Sequence, residues 1–278
     1  MLRQRIITAL VLVFVLLASL MAPGPVPFAL LTLVLIAAAG WEWGRLNQAG
    51  EALSIGMAAL LAALCAATLL AGWTRSAPAT AWWLATALWL AGGFIALRGG
   101  PAAWPQLPKA ARWGIGIVGL WAAWLAISHA RVLGINFMLS VFCVVWAADI
   151  AAYFGGRAFG KRKLAPGISP GKSWEGVWSG MAGVLLLAAL WIGLDRSFAF
   201  DSPSVFSKLM QSVGIAGMVL ALLVLCAMSV VGDLVESLVK RAAGAKDSSR
   251  LLPGHGGVLD RVDALLPVFP IALALIWI

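Results

Sequence analysis

The chain alternates between long apolar runs and short polar segments, and the apolar runs determine its architecture. A bilayer core about 30 Å thick needs roughly 20 apolar residues per helix, and somewhat fewer where a segment ends in amphipathic anchors. By that measure the pattern predicts about nine spans and an all-α polytopic membrane protein. The predicted spans are Ile6 to Met21, Pro27 to Gly40, Ala52 to Gly72, Ala79 to Leu97, Trp113 to Ile127, Leu133 to Gly155, Trp174 to Leu194, Val213 to Val231 and Ala264 to Ile278.

Composition agrees with this class. The chain is 62% hydrophobic and only 11% charged, whereas a soluble globular protein carries about 25% charged residues. Cys65, Cys143 and Cys226 lie in separate apolar runs without CxxC spacing, so we expect small core residues rather than a zinc site or disulfide framework. No repeat or long linker divides the chain, which predicts one integral membrane domain over residues 1–278.

Basic residues are distributed unevenly between the two sides that this alternation of spans implies. If the N-terminus with Arg3 and Arg5 is cytoplasmic, 16 of the 20 basic residues fall on the cytoplasmic side. The four on the other side are Arg75, Arg131, Arg196 and Lys208. This is the bias of the positive-inside rule. A cleaved signal peptide would remove the first span and reverse the bias, so we expect the first helix to be retained.

A first polar cluster begins inside the sixth span. Asp149 lies near the predicted cytoplasmic end of an otherwise apolar helix. A lone carboxylate facing lipid there costs roughly 2.5 to 3.5 kcal/mol, so we expect Asp149 to face the protein interior. Tyr153, four residues later, shares its helical face.

A turn rich in Gly, Ser and Lys then leads into the seventh span. Such a turn presents free backbone N–H groups and the positive end of a helix dipole, which suits a phosphate. The segment Gly167 to Ser173 is not a P-loop, because only three residues separate its glycines and a membrane helix precedes it. Lys172, Ser173 and the nearby Glu175 are candidate phosphate or nucleotide ligands.

A second polar cluster begins at the end of the eighth span. Asp233, Glu236, Ser237 and Lys240 have the spacing i, i+3, i+4 and i+7, which predicts one polar stripe on a helix. Arg241 extends this stripe. We expect it to lie at the cytoplasmic end of the helix.

A compact bend, Pro253 to Gly257, separates this stripe from a second acidic pair, Asp260 and Asp263. Asp233 and Asp260 come from separate elements and could converge on Mg²⁺, which prefers oxygen ligands. The alternative for each acid is a structural ion pair with a neighbouring base. The bases expected to hold the phosphates that share the ion are Lys240, Arg241, Lys246 and Arg261.

The run Ser237, Lys240, Arg241, Lys246, Asp247, Pro253, His255, Gly256, Gly257, Asp260, Arg261 and Asp263 resembles the signature of the phosphatidate cytidylyltransferases, the membrane enzymes that make CDP-diacylglycerol. The segment Ile168 to Gly176 is similar to a second conserved region of that family. The resemblance extends over the full length through the layout of spans. It implies transfer of CMP from CTP to phosphatidic acid, with release of pyrophosphate and a requirement for Mg²⁺ and possibly a second cation.

The resemblance also implies roles for residues. The catalytic set is Asp233, Lys240, Arg241, Asp260 and Arg261, with Asp233 and Asp260 as metal ligands. The substrate-binding set is Asp149, Lys172, Ser173, Glu175, Ser237, Lys246, His255, Gly256 and Gly257. Residues 1–130 are then mainly scaffold, residues 131–278 carry catalysis, and the active site lies at the cytoplasmic ends of the C-terminal helices in the bacterial inner membrane.

The chemistry of this reaction needs no strong general base, because a lipid phosphate monoester is already largely ionised at pH 7. His255 in its Gly-rich bend is therefore expected to contact a backbone group or a phosphate. Two rival functions are open from the residues: a CTP-dependent lipid-alcohol kinase, which needs a base, and a secondary transporter with Asp149 and Asp233 as ion sites. Gly176 and Gly180 form a small-xxx-small face for a neighbouring helix or a homodimer. No nucleic-acid partner is expected.

Overall fold

Helices make up most of the computed structural model, which describes residues 2–277 apart from the side chains of residues 2–7 and 9. The helices are α1 (Leu2–Met21), α2 (Val26–Leu46), α3 (Glu51–Leu70), α4 (Trp73–Ser76), α5 (Ala79–Ala103), α6 (Lys109–Leu133), α7 (Ile135–Phe159), α8 (Trp174–Ser197), α9 (Val205–Ala242), α10 (Leu259–Val262) and α11 (Leu265–Ile276). A short antiparallel hairpin of β1 (Lys163–Ala165) and β2 (Ser169–Ser173) precedes α8, and a 3₁₀ turn, Trp104–Gln106, follows α5.

Seven helices within residues 2–277 are long and apolar enough to cross a membrane, namely α2, α3, α5 with its 3₁₀ turn, α6, α7, α8 and α9. Large apolar side chains such as Phe14, Leu84 and Ile95 are more than half exposed on the bundle, as a lipid-facing surface requires. The prediction of an all-α polytopic membrane protein is confirmed. The N-terminal helix α1 also forms, and its apolar part within the described side chains is Leu10–Met21.

The structure does not support the predicted ninth span, Ala264 to Ile278. Helix α11 has 12 residues, and at 1.5 Å per residue it is about 18 Å long, well short of a bilayer core. Its residues from Leu265 to Ala274 are buried, and it packs against α5, α6 and α9. The run is apolar on all sides because protein surrounds it. Ile278 lies outside the described residues.

The small residues of α7 and α8 bring these two helices close together. A Cβ added at Gly176 would lie 3.0 Å from the carbonyl oxygen of Ala152, and one at Gly180 would lie 2.9 Å from that of Ala148. The predicted small-xxx-small face therefore packs within the chain. A homodimer stays a prediction.

Two carboxylates hold the end of the bundle away from the polar clusters, and one of them, Asp201, accepts from the N–H groups of Ile135 and Asn136 at the start of α7. Asp195 in α8 accepts hydrogen bonds from the Asn136 amide at 2.9 Å, the Ser204 N–H at 3.0 Å, and the hydroxyls of Ser204 and Ser207 at 2.5 Å. Helix α9 begins here and is broken at Gly214, whose φ of 69° needs a residue without a Cβ. The remainder of α9 then runs unbroken to the opposite end.

A buried amide joins the helices at that opposite end. Asn47, which is fully buried just after α2, accepts a hydrogen bond from Trp104 Nε1 at 2.8 Å through its side chain and one from Trp113 Nε1 at 3.1 Å through its carbonyl. Trp43 Nε1 donates to the Arg112 carbonyl at 2.8 Å. These contacts fix the last turn of α2 against α5 and α6, next to the loop that follows α9.

Candidate active site

The structure contains the polar stripe that the spacing of residues 233–240 predicted, because all four residues lie on α9. The Ser237 hydroxyl donates to Asp233 Oδ1 at 3.2 Å. One turn further along, Lys240 Nζ lies 2.6 Å from Glu236 Oε2. Glu236 is 3% exposed, so this ion pair balances a carboxylate that would otherwise be costly to bury.

Asp260, on α10, is enclosed by hydrogen-bond donors. Lys240 Nζ lies 2.6 Å from its Oδ1, while Oδ2 accepts from the Ser248 N–H and hydroxyl at 2.9 Å each and from the Gly257 N–H at 2.8 Å. Burial alone would raise the pKa of Asp260, but the hydrogen bonds from Lys240, Gly257 and Ser248 outweigh it and lower the pKa to about 2. Asp260 is therefore a carboxylate at neutral pH.

The glycines of the predicted PGHGG bend allow this close approach. Gly256 has a φ of +83°, and a Cβ there would lie 2.7 Å from Asp260 Oδ2. A Cβ on Gly257 would meet Glu42. The backbone of His255 also serves the bend, because its N–H donates to the Leu252 carbonyl at 2.8 Å and its carbonyl accepts from Arg261 Nε at 2.9 Å. Substrate roles for Gly256, Gly257 and His255 stay predictions.

Asp263 is a half-buried acid. The residue pattern predicted no role for it beyond its place in the family signature. Its Oδ1 accepts from the Ala264 N–H at 2.7 Å. Burial, and then the negative charge of Asp233, raises the pKa of Asp263 to about 7. Asp263 thus titrates near neutral pH beside Asp233.

The hairpin before α8 brings a lysine to the other side of Asp233. Lys172 Nζ lies 2.7 Å from Asp233 Oδ2, and Arg241 Nε donates to the Ile168 carbonyl at 3.3 Å, which ties the hairpin to α9. Both predicted metal ligands form the ion pairs that the sequence left open as the alternative: Asp233 pairs with Lys172, and Asp260 pairs with Lys240. The strands themselves were not predicted.

A cavity of about 520 Å³ opens beside the Lys172–Asp233 pair, between α7, α8 and α9. Asp149 and Tyr153 line it together with Ser173. Asp149 lines this cavity and is exposed there, so the structure does not place it in the packed interior that its cost in lipid predicted. Val177 and Val230 line the same cavity, so it has a charged part and an apolar part.

Two candidate ligands on α8 make internal contacts. Ser173 is the N-cap of α8 and its Oγ accepts from the Gly176 N–H at 3.2 Å. Glu175 accepts from the backbone N–H groups of Lys161 and Arg162, both at 3.1 Å. These bonds give both residues a structural role in the turn, and their binding of substrate stays a prediction.

Glu42, in the last turn of α2, is a residue that the sequence analysis missed. It is fully buried. Its oxygens accept from the Ser249 hydroxyl at 2.6 Å and from the N–H groups of Val258 at 2.9 Å and Leu259 at 2.7 Å. The Ser248 hydroxyl lies 3.1 Å from Glu42 and shares its one proton between Glu42 and Asp260. The predicted second span ended at Gly40. A helix extended to Leu46 would have shown Glu42 as a lone acid in a membrane helix, which is a signal of function.

These contacts make one connected polar cluster at the end of the bundle. It runs from Lys172 through Asp233 and the α9 stripe to Asp260, and the loop around Asp260 is held by Glu42. Within the described residues no group of three or more His, Cys, Asp or Glu side chains is arranged to hold a metal. Asp233 and Asp260 each pair with a lysine ammonium, and their role as metal ligands stays a prediction.

Replacing Glu42 tests whether it holds the loop. Glu42→Gln keeps the shape but puts an NH₂ donor against backbone and hydroxyl donors, and each buried donor left unpaired costs about 1 to 3 kcal/mol. We expect faster tryptic cleavage after Lys246 or Arg250 and a lower thermal midpoint in detergent. Glu51→Gln is the matched control, because Glu51 bonds only to Trp41 Nε1 at the surface among the described contacts. Equal cleavage rates for the three proteins would contradict the role.

Asp263 gives a pH-dependent prediction. The folded chain keeps its proton up to about pH 7, whereas the unfolded chain releases it near 3.8. The raised pKa therefore destabilises the fold as pH rises between these values, by at most about 1.4 kcal/mol per pH unit. In metal-free buffer, Asp263→Asn should match wild type near pH 4 and be more stable at pH 7.5. A stability difference that does not grow with pH would refute this assignment.

Comparison with known proteins places this chain in a family. The chain matches the cytidylyltransferase family over residues 3–278. It is 41% identical to a phosphatidate cytidylyltransferase of Pseudomonas aeruginosa over 285 aligned residues, which cover 100% of this chain and 97% of that protein. A phosphatidate cytidylyltransferase of Haemophilus influenzae is 48% identical over 143 residues, or 51% of this chain and 46% of that protein.

A plant relative shares about half of the chain. The chloroplastic phosphatidate cytidylyltransferase 5 of Arabidopsis thaliana is 39% identical over 134 residues, which cover 48% of this chain and 30% of that protein. The match therefore extends beyond bacteria. Because the family match covers almost every residue and one relative aligns along the full length, the chain belongs to the cytidylyltransferase family.

Proposed function

We propose that this protein is a phosphatidate cytidylyltransferase, which transfers CMP from CTP to phosphatidic acid and gives CDP-diacylglycerol and pyrophosphate. The observation that carries the proposal is the polar cluster at one end of a transmembrane bundle, in which Asp233 pairs with Lys172 and Asp260 pairs with Lys240. Family membership and the names of the relatives support the same reaction. The cluster offers cations and carboxylates together, as a reaction between two phosphorylated substrates requires.

The reaction is an in-line displacement at the α-phosphorus of CTP. A phosphate oxygen of phosphatidic acid forms the new P–O bond, and the bond to the α,β-bridging oxygen breaks with its electron pair on pyrophosphate. The attacking phosphate is largely ionised at pH 7, so no strong base is needed. A lipid-alcohol kinase would need one.

The main task of the protein is then charge neutralisation and positioning. Lys172, on the hairpin, pairs with Asp233 at one end of the α9 stripe, and Lys240, at the other end of the stripe, pairs with Asp260. Each lysine can exchange its carboxylate partner for a phosphate oxygen. Arg241 is anchored to the hairpin carbonyl of Ile168, so we assign it to positioning the hairpin as well as to phosphate binding. Arg261 holds the His255 carbonyl and thereby the bend.

We propose Mg²⁺ as the cofactor, with Asp233 and Asp260 as ligands. The residues fit a hard cation, because both are carboxylates that already attract a positive group at 2.7 and 2.6 Å. Asp260 has a low pKa and is ionised at neutral pH. When bound, Mg²⁺ would neutralise charge on the phosphate oxygens of the substrates. A second cation stays a prediction.

The cavity beside Lys172 suits the lipid substrate. Asp149, Lys172 and Asp233 form its charged part, and Val177 and Val230 form part of its apolar wall. A lipid whose phosphate lies at the headgroup level and whose chains lie in the bilayer needs both. We propose that phosphatidic acid binds here, with its phosphate toward Lys172.

We also propose that the polar cluster faces the cytoplasm across a bacterial inner membrane. The hairpin, the end of α9 and the start of α6 carry six of the 20 basic residues and lie at the same end of the bundle as the cluster. Positive loops face the cytoplasm. CTP reaches the site from that side.

The decisive experiment is turnover by purified protein in detergent micelles with phosphatidic acid, CTP and Mg²⁺. Asp260→Asn removes a carboxylate held by four hydrogen bonds, and we expect CDP-lipid formation to fall by about 100-fold or more. Glu51→Gln, a surface carboxylate-to-amide change, should keep wild-type activity. Formation of phosphorylated lipid and CDP by wild type would favour the kinase. A folded preparation that neither binds nor turns over CTP would reopen the transporter.

The metal assignment has a test independent of turnover. Binding to the folded state alone raises stability, so Mg²⁺ at 100 times its dissociation constant should stabilise wild type by about 2.7 kcal/mol. The thermal midpoint of Asp260→Asn should respond much less. Equal shifts for the two proteins would show that Asp260 is not a ligand.

A further inference from the structure

A polar cavity of about 570 Å³ lies beside the Asp260 loop, separate from the cavity between α7 and α8. The last turn of α2 and the segment after α9 line it. Arg45, Lys246 and Arg250 contribute three positive charges, and Asp247 contributes one negative charge. None of these four side chains takes part in an ion pair within the part of the chain that the structure describes. The cavity therefore carries a net excess of positive charge, and no ion pair among the described residues 2–277 neutralises it.

One residue, Ser248, connects this cavity to the Asp260–Lys240 pair. Ser248 lines the cavity, and its N–H and hydroxyl both donate to Asp260 at 2.9 Å. Ser248 is thus the residue that separates an anion in the cavity from the Asp260–Lys240 pair. A polyphosphate chain whose first phosphate lies at that pair can continue past Ser248 toward Arg45 and Arg250.

The walls of the cavity are held in place without a ligand. Glu42 bonds the hydroxyls of Ser248 and Ser249 and so fixes the loop against α2. Three residues later on the same helix, the Arg45 guanidinium lies 4.8 Å from the Trp41 ring centroid, which is a cation–π contact. A site that is preformed in this way loses little entropy on binding an anion.

We propose that this cavity binds the β- and γ-phosphates of CTP and then the released pyrophosphate, with Arg45 and Arg250 as ligands beside Lys246. The inference rests on the proposed cytidylyl transfer. When the bond between the α-phosphorus and the bridging oxygen breaks, its electron pair and the added negative charge stay on pyrophosphate. Arginine suits this charge because its planar guanidinium donates two parallel hydrogen bonds to a phosphate. The last turn of α2 is then part of the substrate site.

The test is equilibrium binding of radiolabelled pyrophosphate to the purified full-length protein in detergent with Mg²⁺ and without CTP. Arg45→Gln and Arg250→Gln should each weaken binding about tenfold, the loss of one charge-assisted contact. The KM for CTP should rise in parallel, and the KM for phosphatidic acid should not change. Both side chains are exposed and make no hydrogen bond within the described residues that folding would lose.

Arg98→Gln is the matched control, because its guanidinium lies over the Phe94 ring at 5.9 Å from the centroid and outside the cavity. It should bind pyrophosphate as wild type does. Unchanged pyrophosphate binding in both cavity variants would overturn the inference. Anionic phosphatidylglycerol micelles that displace pyrophosphate, with an affinity that falls in the same variants, would assign the cavity to a lipid headgroup instead.

The two proposals fail separately. If pyrophosphate binding depends on Arg45 and Arg250 but wild type forms no CDP-diacylglycerol, the anion site is supported and the proposed reaction is wrong. If CDP-diacylglycerol forms and the cavity variants bind pyrophosphate as wild type does, only this inference is wrong.

Discussion

Two carboxylates hold the segment between α9 and α11, on which the rest of the polar cluster depends. The segment has almost no regular secondary structure, so its backbone donors need other partners. Asp260 accepts from Ser248, Gly257 and Lys240, and Glu42 accepts from Ser248, Ser249, Val258 and Leu259. Ser248 is bonded to both acids. Because the acids come from opposite ends of the chain, the loop is a junction between the two halves of the bundle.

Much of this cluster could be predicted because its spacing is helical. The interval from Asp233 to Lys240 puts these residues on one face whatever packs against it, and the structure has them there. The cost of facing lipid predicted an interior position for Asp149, but the residue is exposed where it lines the cavity between α7, α8 and α9. The stripe could be predicted because it needed only local geometry.

Other features depend on long-range contacts that no local pattern carries. Glu42 meets Leu259 across 217 positions of sequence. The run from Leu265 is as apolar as a membrane span, but it is enclosed by α5, α6 and α9, and hydropathy does not distinguish protein from lipid as surroundings. The hairpin pairs Lys163 with Ser173 in a segment of Gly, Pro and Ser that favours turns. The division into residues 1–130 as mainly scaffold stays a prediction, and within that range α2 supplies Glu42, which holds the loop.

The bonds between Glu42 and the loop also determine when the polar cluster can form during synthesis. A chain emerges from the ribosome N-terminus first at about 5 to 20 residues per second, so α2 waits on the order of ten seconds or more for Ser248. During that time Glu42 has none of its four partners and lies in a helix inside the membrane. The Glu42 carboxylate of a new chain therefore lacks these hydrogen-bond donors until residues 248–259 have been made. Assembly of the polar cluster thus waits for synthesis of residues 248–259, and a chain that lacks them cannot form the cluster.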